Sequence, residues 1–327
     1  MKKVPKKAII TVGGLSSLFL PISKFYPREM LPIGDKPIIQ YVVEEAKSLG
    51  IKDKNIAIIY NRYHKLVKNY FEDDYGAEEI LEKRKQFSKL KLLSDYNPDS
   101  KIRCICQGEP NGLAHAICCS KRPPEYIEVN NGREKINDCV NPFINNNESF
   151  ILMLGDVLTK KDSKITKNLI DAYKHYRSHI FSVKNISPFD VENFGVIRGS
   201  EIGNDIYKIR NLHEKPKIQE SPSHLAIMGR YIFENDIFNY IDNEINEKKP
   251  KSHEKISFVD VMNNLLEKNE KEIYAQRIRE KSFRVWNKVN YLKTAIELSI
   301  DDEDIKKNII NFLDDKNKDY RNTIMQG

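Results

Sequence analysis

The sequence predicts an α/β protein built on a doubly wound, mainly parallel sheet, and three observations carry that expectation. Short apolar runs suited to burial on both faces, Ala8–Val12 and Phe150–Leu154 among them, alternate with amphipathic helical stretches. The apolar runs break at turn-forming residues, as at Gly13-Gly14 and Gly155-Asp156. With 327 residues, 40% hydrophobic and 31% charged, the chain can bury a large core and falls outside collagen-like, disulfide-scaffold and membrane-spanning classes.

The first strand, Ala8–Val12, follows Lys2, Lys3, Lys6 and Lys7, which gives the N-terminus the outline of a secretory signal. No small-x-small cleavage site follows, and Gly13-Gly14 and Ser16-Ser17 interrupt the apolar run, so a buried strand feeding a loop is expected instead. Asp35 as N-cap, Pro37 in the first turn, apolar Ile38, Ile39, Val42, Val43 and Ala46, and Gly50 beyond the end define a helix. Asn55 to Tyr60 is the second strand, followed by helical patterns at about 62–71 and 77–93. Ile102 to Gln107 is the third strand, leading through a turn at Gly108–Gly112 into a short helix from Ala114 to Cys119.

Residues 121–147 are rich in Asn, Pro and charge without a sustained period, and read as a surface insertion that tolerates disorder. Phe150–Leu154 is the fourth strand, followed by a helix with Ile165, Leu169, Ala172, Tyr173 and Tyr176 on one face. Short strands at 180–184, 206–210, 226–233 and 272–278 then mix with helices near 235–245 and 258–268, and a charged helical tail, 301–327, closes the chain.

Charge and cysteine content narrow the partners. Lys and Arg number 54 against 47 Asp and Glu, a net of +7 spread along the chain, which suits an anionic substrate without forming a nucleic-acid arm. Neither a basic helix, an aromatic stacking module nor an amphipathic anchor is evident, so nucleic acid and membrane are not expected partners. Five cysteines, Cys104, Cys106, Cys118, Cys119 and Cys139, are an odd set in a chain with a good core, which favours a reducing, cytoplasmic setting. Their spacing is not that of a zinc knuckle, and core packing is the expected role.

Open parallel sheets bind ligands beyond the carboxyl ends of their strands, which directs attention to Gly13–Ser17, Gln107–His115 and Gly155-Asp156. A Gly/Ser loop after a first strand can offer backbone N–H groups to phosphates, although it is neither G-x-G-x-x-G nor a Walker A and a plain turn fits as well. Asp156 at a strand end suits Mg²⁺, a hard cation that takes a carboxylate plus substrate phosphates; a helix N-cap is the alternative.

Several segments in register carry more. Phe19-Leu20-Pro21-Ile22-Ser23-Lys24, Pro27 to Tyr41 (PREMLPIGDKPIIQY), Gln107 to Ala116 (QGEPNGLAHA), Phe194-Gly195-Val196-Ile197, Glu214-Lys215-Pro216-Lys217 and Leu225 to Tyr231 (LAIMGRY) resemble the bacterial UTP–glucose-1-phosphate uridylyltransferases, a family of sugar-phosphate nucleotidyltransferases. The resemblance runs from about residue 7 to about 298 and implies a Rossmann-like α/β/α nucleotidyltransferase fold with a mixed, mainly parallel central sheet. It makes 1–300 one domain, with 121–147 a surface insertion and 301–327 the helical tail.

The family reaction joins UTP and glucose-1-phosphate into UDP-glucose and pyrophosphate, so UTP, glucose-1-phosphate and UDP-glucose are the implied ligands and Mg²⁺ the implied cofactor. Such a reaction asks the protein for positioning and electrostatic neutralisation. By resemblance, Gly13, Gly14, Gln107 and Gly112 serve the nucleotide; Gly195 and Glu214 the glucose ring, with Lys215 at the sugar phosphate; Asp156 the metal; and Lys24, Arg28, Asp156 and Lys215 the catalysis. The family also assembles into oligomers, which implies a homo-oligomer or a hetero-oligomer with an active paralogue.

The pattern departs from the family where its chemistry is concentrated. Gly14-Leu15-Ser16-Ser17-Leu18 stands where the family reads Gly-Leu-Gly-Thr-Arg, so Leu18 replaces the guanidinium that grips the triphosphate. Arg28 replaces a lysine, which keeps the charge but changes its geometry. In Phe283-Arg284-Val285-Trp286-Asn287-Lys288, Arg284 replaces a metal-binding Asp and Trp286 a Gly, while Lys255 stands for a sugar-binding glutamate. Unless Arg284 turns to solvent, it leaves a weakened Mg²⁺ site and a more cationic cleft. The expected function is therefore a uridylyltransferase of impaired activity; the alternative is a non-catalytic paralogue that binds nucleotide sugar or regulates an active subunit.

Overall fold

Nine strands make one sheet: β1 (Ala8–Val12), β2 (Ile56–Tyr60), β3 (Arg103–Cys106), β4 (Phe150–Leu154), β5 (His179–Asn185), β6 (Gly195–Gly203), β7 (Ile206–Glu214), β8 (Leu225–Phe233) and β9 (Ile273–Arg277). Their order is β5-β9-β7-β6-β8-β4-β1-β2-β3. The computed structural model describes residues 4–72, 76–96, 101–129, 132–137, 141–248, 254–268 and 271–325. Cys139 lies outside the described residues.

Parallel pairing joins β1 to β2 and β4, and β2 to β3; β8 then adds antiparallel to β4 and opens an otherwise antiparallel half in which only β5 and β9 run parallel. The mixed sheet expected from the sequence is present, but it is not mainly parallel: four of its pairings run parallel, three of them in the first half of the chain, and five antiparallel.

Alternation along β1 explains the layers. Ala8, Ile10 and Val12 face one core with α1 (Ile38–Ser48), α2 (Lys65–Glu72) and, from further along the chain, the helix Ile165–Tyr176. Ile9 faces the opposite core, with helices Leu113–Lys121, Ile237–Lys248 and Phe258–Glu267. Two apolar faces covered by helices are what a strand buried on both sides requires. A third, smaller cluster of Phe19, Leu31, Ile33, Ile38, Leu158, Phe283 and Val285 sits under a two-stranded ribbon, in which Ser282–Arg284 pairs antiparallel with Val157–Thr159.

Four further sequence expectations need correction. Pro37, not Asp35, occupies the cap position of α1, because Gly34 at φ +63° turns the chain into a small hairpin that ends at Pro37. The helix expected at 77–93 is two helices, α3 (Ala77–Lys83) and α4 (Phe87–Tyr96), separated around Lys85 at φ +55°. Strand β6 was not foreseen. Within 121–147, Tyr126–Val129 and Gly132–Lys135 form a hairpin, while Asn137, Phe143 and Ile144 are buried, so this stretch is anchored to the core rather than simply lying on the surface. Cys106, Cys118 and Cys119 are buried among apolar side chains, and burial pushes the Cys119 thiol well above its ordinary range.

One buried ion pair joins these layers. Arg230 on β8 donates through Nε to Glu45 Oε1 at 3.1 Å and through Nη2 to Glu45 Oε2 at 2.6 Å. The same guanidinium donates to the carbonyls of Leu154 at 3.3 Å, Val157 at 2.7 Å and Gly229 at 3.1 Å. Thr159 and Thr166 hydroxyls complete the Glu45 carboxylate. Burial alone would raise the Glu45 carboxyl, but Arg230 and the two hydroxyls hold it below its ordinary value near 4.5.

A depressed folded-state pKa adds stability that is complete above the unfolded value and is lost as pH falls through the folded one. Glu45→Gln is expected to destabilise the protein at pH 7 by about 3–5 kcal/mol, since it leaves a buried guanidinium uncompensated. Urea unfolding should show that difference from wild type narrowing below about pH 4.5.

Candidate functional site

The carboxyl ends of β1, β3 and β4 open onto a cavity of about 780 Å³, closed on the far side by segments from the second half of the chain. The loop after β1 is fixed from below. Asn61 Nδ2 donates to the Gly13 carbonyl at 3.1 Å, and His64 Nδ1 lies 3.3 Å from the Val12 carbonyl. Gly13 lies close against Gln107: a Cβ there would stand 2.8 Å from Gln107 Nε2 and would push that amide from its place. Gln107 is 2% exposed, and its buried Oε1 has no hydrogen-bond partner, which leaves an amide acceptor at the cavity wall.

Beyond Gly14 the chain turns through Ser16 at φ +51° into a short turn, Ser17–Phe19. Phe19 inserts into the third cluster, while Leu18 is 58% exposed and is not part of the cavity lining. The loop after β3 is tied across the cavity, where Ile256 N donates to the Asn111 carbonyl at 2.9 Å. Gly112 has φ 93° and ψ 177°, a conformation restricted to glycine, and a Cβ there would meet the Ile256 carbonyl at 2.9 Å. This contact brings Lys255 to the lining. Gly195 on β6 pairs with Glu214 on β7, and Lys215 N donates to the Phe194 carbonyl at 3.1 Å, which sets Glu214 and Lys215 at the same rim.

The cavity floor carries Asp156, 4% exposed. Its Oδ2 lies 2.8 Å from Arg28 Nη2 and 3.8 Å from Arg284 Nε. Arg28 Nε also donates to Glu29 Oε1 at 2.9 Å, so one guanidinium spans two acids, and Glu29 Oε2 is buried without a partner. Burial works against the Arg28 charge, yet Asp156 and then Glu29 keep its pKa above the ordinary arginine range. Arg284 does not turn to solvent. It pairs with Val157 in the ribbon, donates Nη1 to the Asn193 carbonyl at 3.1 Å, and stacks its guanidinium 4.9 Å from the Phe194 ring centre.

These donors do not fit a divalent cation. Mg²⁺ needs oxygen ligands around a hard charge, whereas the Asp156 carboxylate faces two guanidinium groups. No group of three or more His, Cys, Asp or Glu placed to hold a metal occurs among the described residues.

Of the ten residues that the sequence nominates, nine line this one cavity: Gly13, Gly14, Arg28, Gln107, Gly112, Asp156, Gly195, Glu214 and Lys215. Lys24 does not; it is exposed, with Nζ 5.1 Å from the Phe25 ring centre. Trp286 is half-buried and likewise outside the lining. Sequence reasoning missed Glu29 and the Glu45–Arg230 pair, whose carbonyl contacts at Leu154 and Val157 bracket Asp156. The available signal was Glu45 itself, an acid seven residues after Ile38 on the otherwise apolar face of α1.

A cavity at the carboxyl ends of a doubly wound sheet, walled by a glycine loop and floored by an acid, is the arrangement of nucleotide-handling α/β proteins. The family model described as nucleotidyl transferase matches residues 7–127 and 135–303, and the chain belongs to that family. The break in the match, 128–134, falls at the tip of the hairpin formed by Tyr126–Val129 and Gly132–Lys135.

Among its relatives is the UTP–glucose-1-phosphate uridylyltransferase 1 of Staphylococcus saprophyticus, 31% identical over 96% of this chain and 99% of the relative. The putative UTP–glucose-1-phosphate uridylyltransferase of Methanocaldococcus jannaschii is 33% identical over 90% of this chain and 93% of its own. Among solved structures, UDP-glucose pyrophosphorylase from Acinetobacter baumannii is similar with a TM-score of 0.75 at 25% identity, covering 94% of this chain and 99% of that one. A UDP-glucose pyrophosphorylase complexed with UDP-glucose gives 0.70 at 27% identity, covering 91% of this chain and 100% of that one. No helix among the described residues is long and apolar enough to cross a membrane.

Gly112→Ala is expected to lose about 1–3 kcal/mol of stability, because it combines forbidden backbone geometry with a backbone clash. Urea unfolding measures that loss; a variant as stable as wild type would mean that the Asn111–Ile256 tie does not hold the loop in this conformation.

Proposed function

We propose that the chain binds UTP and glucose-1-phosphate in this cavity and transfers the uridylyl group between them, releasing pyrophosphate, at a reduced rate. The observation that carries the proposal is the convergence of nine nominated residues on one cavity in a member of the nucleotidyl transferase family. In this reading Gln107 and the Gly13-Gly14 backbone take the base, Glu214 the glucose hydroxyls and Lys215 the sugar phosphate. Asp156 orients Arg28 and Arg284 and so positions the cations rather than a metal.

The rate is reduced for two reasons. Leu18 brings no charge to the phosphates, and Arg28 is committed to Asp156 and Glu29. Removing one preorganised contact to developing charge typically lowers turnover by about 10²–10³. These same features favour the second reading, a non-catalytic paralogue that binds nucleotide sugar or pairs with an active subunit.

Pyrophosphate release from UTP and glucose-1-phosphate decides between them. Turnover about 10²-fold or more below that of the Staphylococcus saprophyticus relative, assayed alongside, is the expected result. Parity would remove the claim of impairment, and no release at all would favour the non-catalytic paralogue. Leu18→Arg should raise turnover about tenfold or more while changing stability by no more than about 0.5 kcal/mol, since the position is exposed. An unchanged rate in that variant would mean that the phosphates do not lie over this loop.

A further inference from the structure

The cavity offers its phosphates a fixed cation where a metal-dependent site would offer a second acid. Arg284 is held in place by its register with Val157, its bond to the Asn193 carbonyl and the Phe194 ring beneath it. Its Nε is buried, without a hydrogen-bond partner, and 3.8 Å from Asp156 Oδ2. The Arg284 guanidinium as a whole lines the cavity, and charge-assisted contacts from it to a phosphate strengthen where water is excluded.

Lys215 and Lys255 share the lining. Arg28, Lys215, Lys255 and Arg284 bring four positive charges to the lining against three negative ones on Glu29, Asp156 and Glu214, a net of +1 before any ligand enters. A divalent cation approaching Asp156 would meet two guanidinium groups at that carboxylate, whereas a diphosphate would meet the charges of Arg284, Lys215 and Lys255, with Asp156 as the opposing acid beside them.

We propose that Arg284, flanked by Lys215 and Lys255, is a phosphate-binding residue that stands in for the divalent cation, so that a nucleotide diphosphate sugar binds this cavity without Mg²⁺. The proposal rests on reading the cavity as a uridine-nucleotide site. Arg284 supplies permanently what a metal ion would supply on loading, a positive charge aimed at the diphosphate. Lys215 and Lys255 neutralise its outer oxygens from the rim.

Isothermal titration of the full chain with UDP-glucose, once in EDTA and once in MgCl₂, tests it. The expected Kd is the same in both media within about twofold, and Arg284→Ala weakens it about tenfold or more in both. Arg284→Lys should keep binding metal-independent but weaker, while Arg284→Asp should bind only when Mg²⁺ is present, because it would set a second carboxylate opposite Asp156. Wild-type binding that tightens about tenfold or more with Mg²⁺ overturns the proposal and leaves the nucleotide reading intact. Binding that is indifferent to Arg284→Ala overturns it too. Absence of UDP-glucose binding in either medium takes down the reading of the cavity and the proposal together.

Discussion

A buried carboxylate persists only where cations or hydrogen-bond donors compensate it, and Asp156 has two guanidinium groups within reach. Arg28 ties it to Glu29 and to the loops around β1; Arg284 ties it to the ribbon and to Asn193. Below it, Arg230 holds the carbonyls of Leu154 and Val157, so the turn that presents Asp156 is fixed on both sides by a second buried ion pair. The charge of this carboxylate is thus balanced inside the protein. The wall around Asp156 is therefore preorganised, its geometry fixed before any ligand enters.

The cationic balance has a further consequence for how the two halves of the chain cooperate. The first half supplies one wall through Gly13 and Gln107, while Gly195, Glu214, Lys215, Lys255 and Arg284 come from the second. The contact between Asn111 and Ile256 and the pairing of β4 with β8 hold these walls together. A ligand spanning the cavity would touch both halves at once.

Much of this was legible in the sequence, for physical reasons that can be assigned residue by residue. Strands such as Ala8–Val12 and Phe150–Leu154 are continuous apolar runs because both their faces are covered. β6 escaped notice because Gly195–Gly203 contains three glycines, shifts register at Gly199 and leaves much of its length exposed, so it carries no apolar signature. The break at Lys85 has no Pro or Gly to announce it. Burial of Phe143 and Ile144 was signalled only by two apolar residues in a polar stretch. Gly112 at the cavity could be read because its backbone geometry and the nearby Ile256 carbonyl leave no alternative residue. Lys24 could not be placed from its motif, since its direction is set by a turn whose buried member is Ser23. The pairing of Glu45 with Arg230 joins residues far apart in sequence, and only an acid on an apolar helix face hinted at it.

The most direct measurement is a crystal structure of the chain with UDP-glucose, grown with Mn²⁺ and recorded at an X-ray energy where manganese scatters anomalously. The account predicts the Arg284 guanidinium against the diphosphate oxygens, Asp156 still paired with Arg28, and no anomalous peak at the Asp156 carboxylate. A manganese peak bridging Asp156 and the diphosphate, with Arg284 displaced from the cavity, would contradict it.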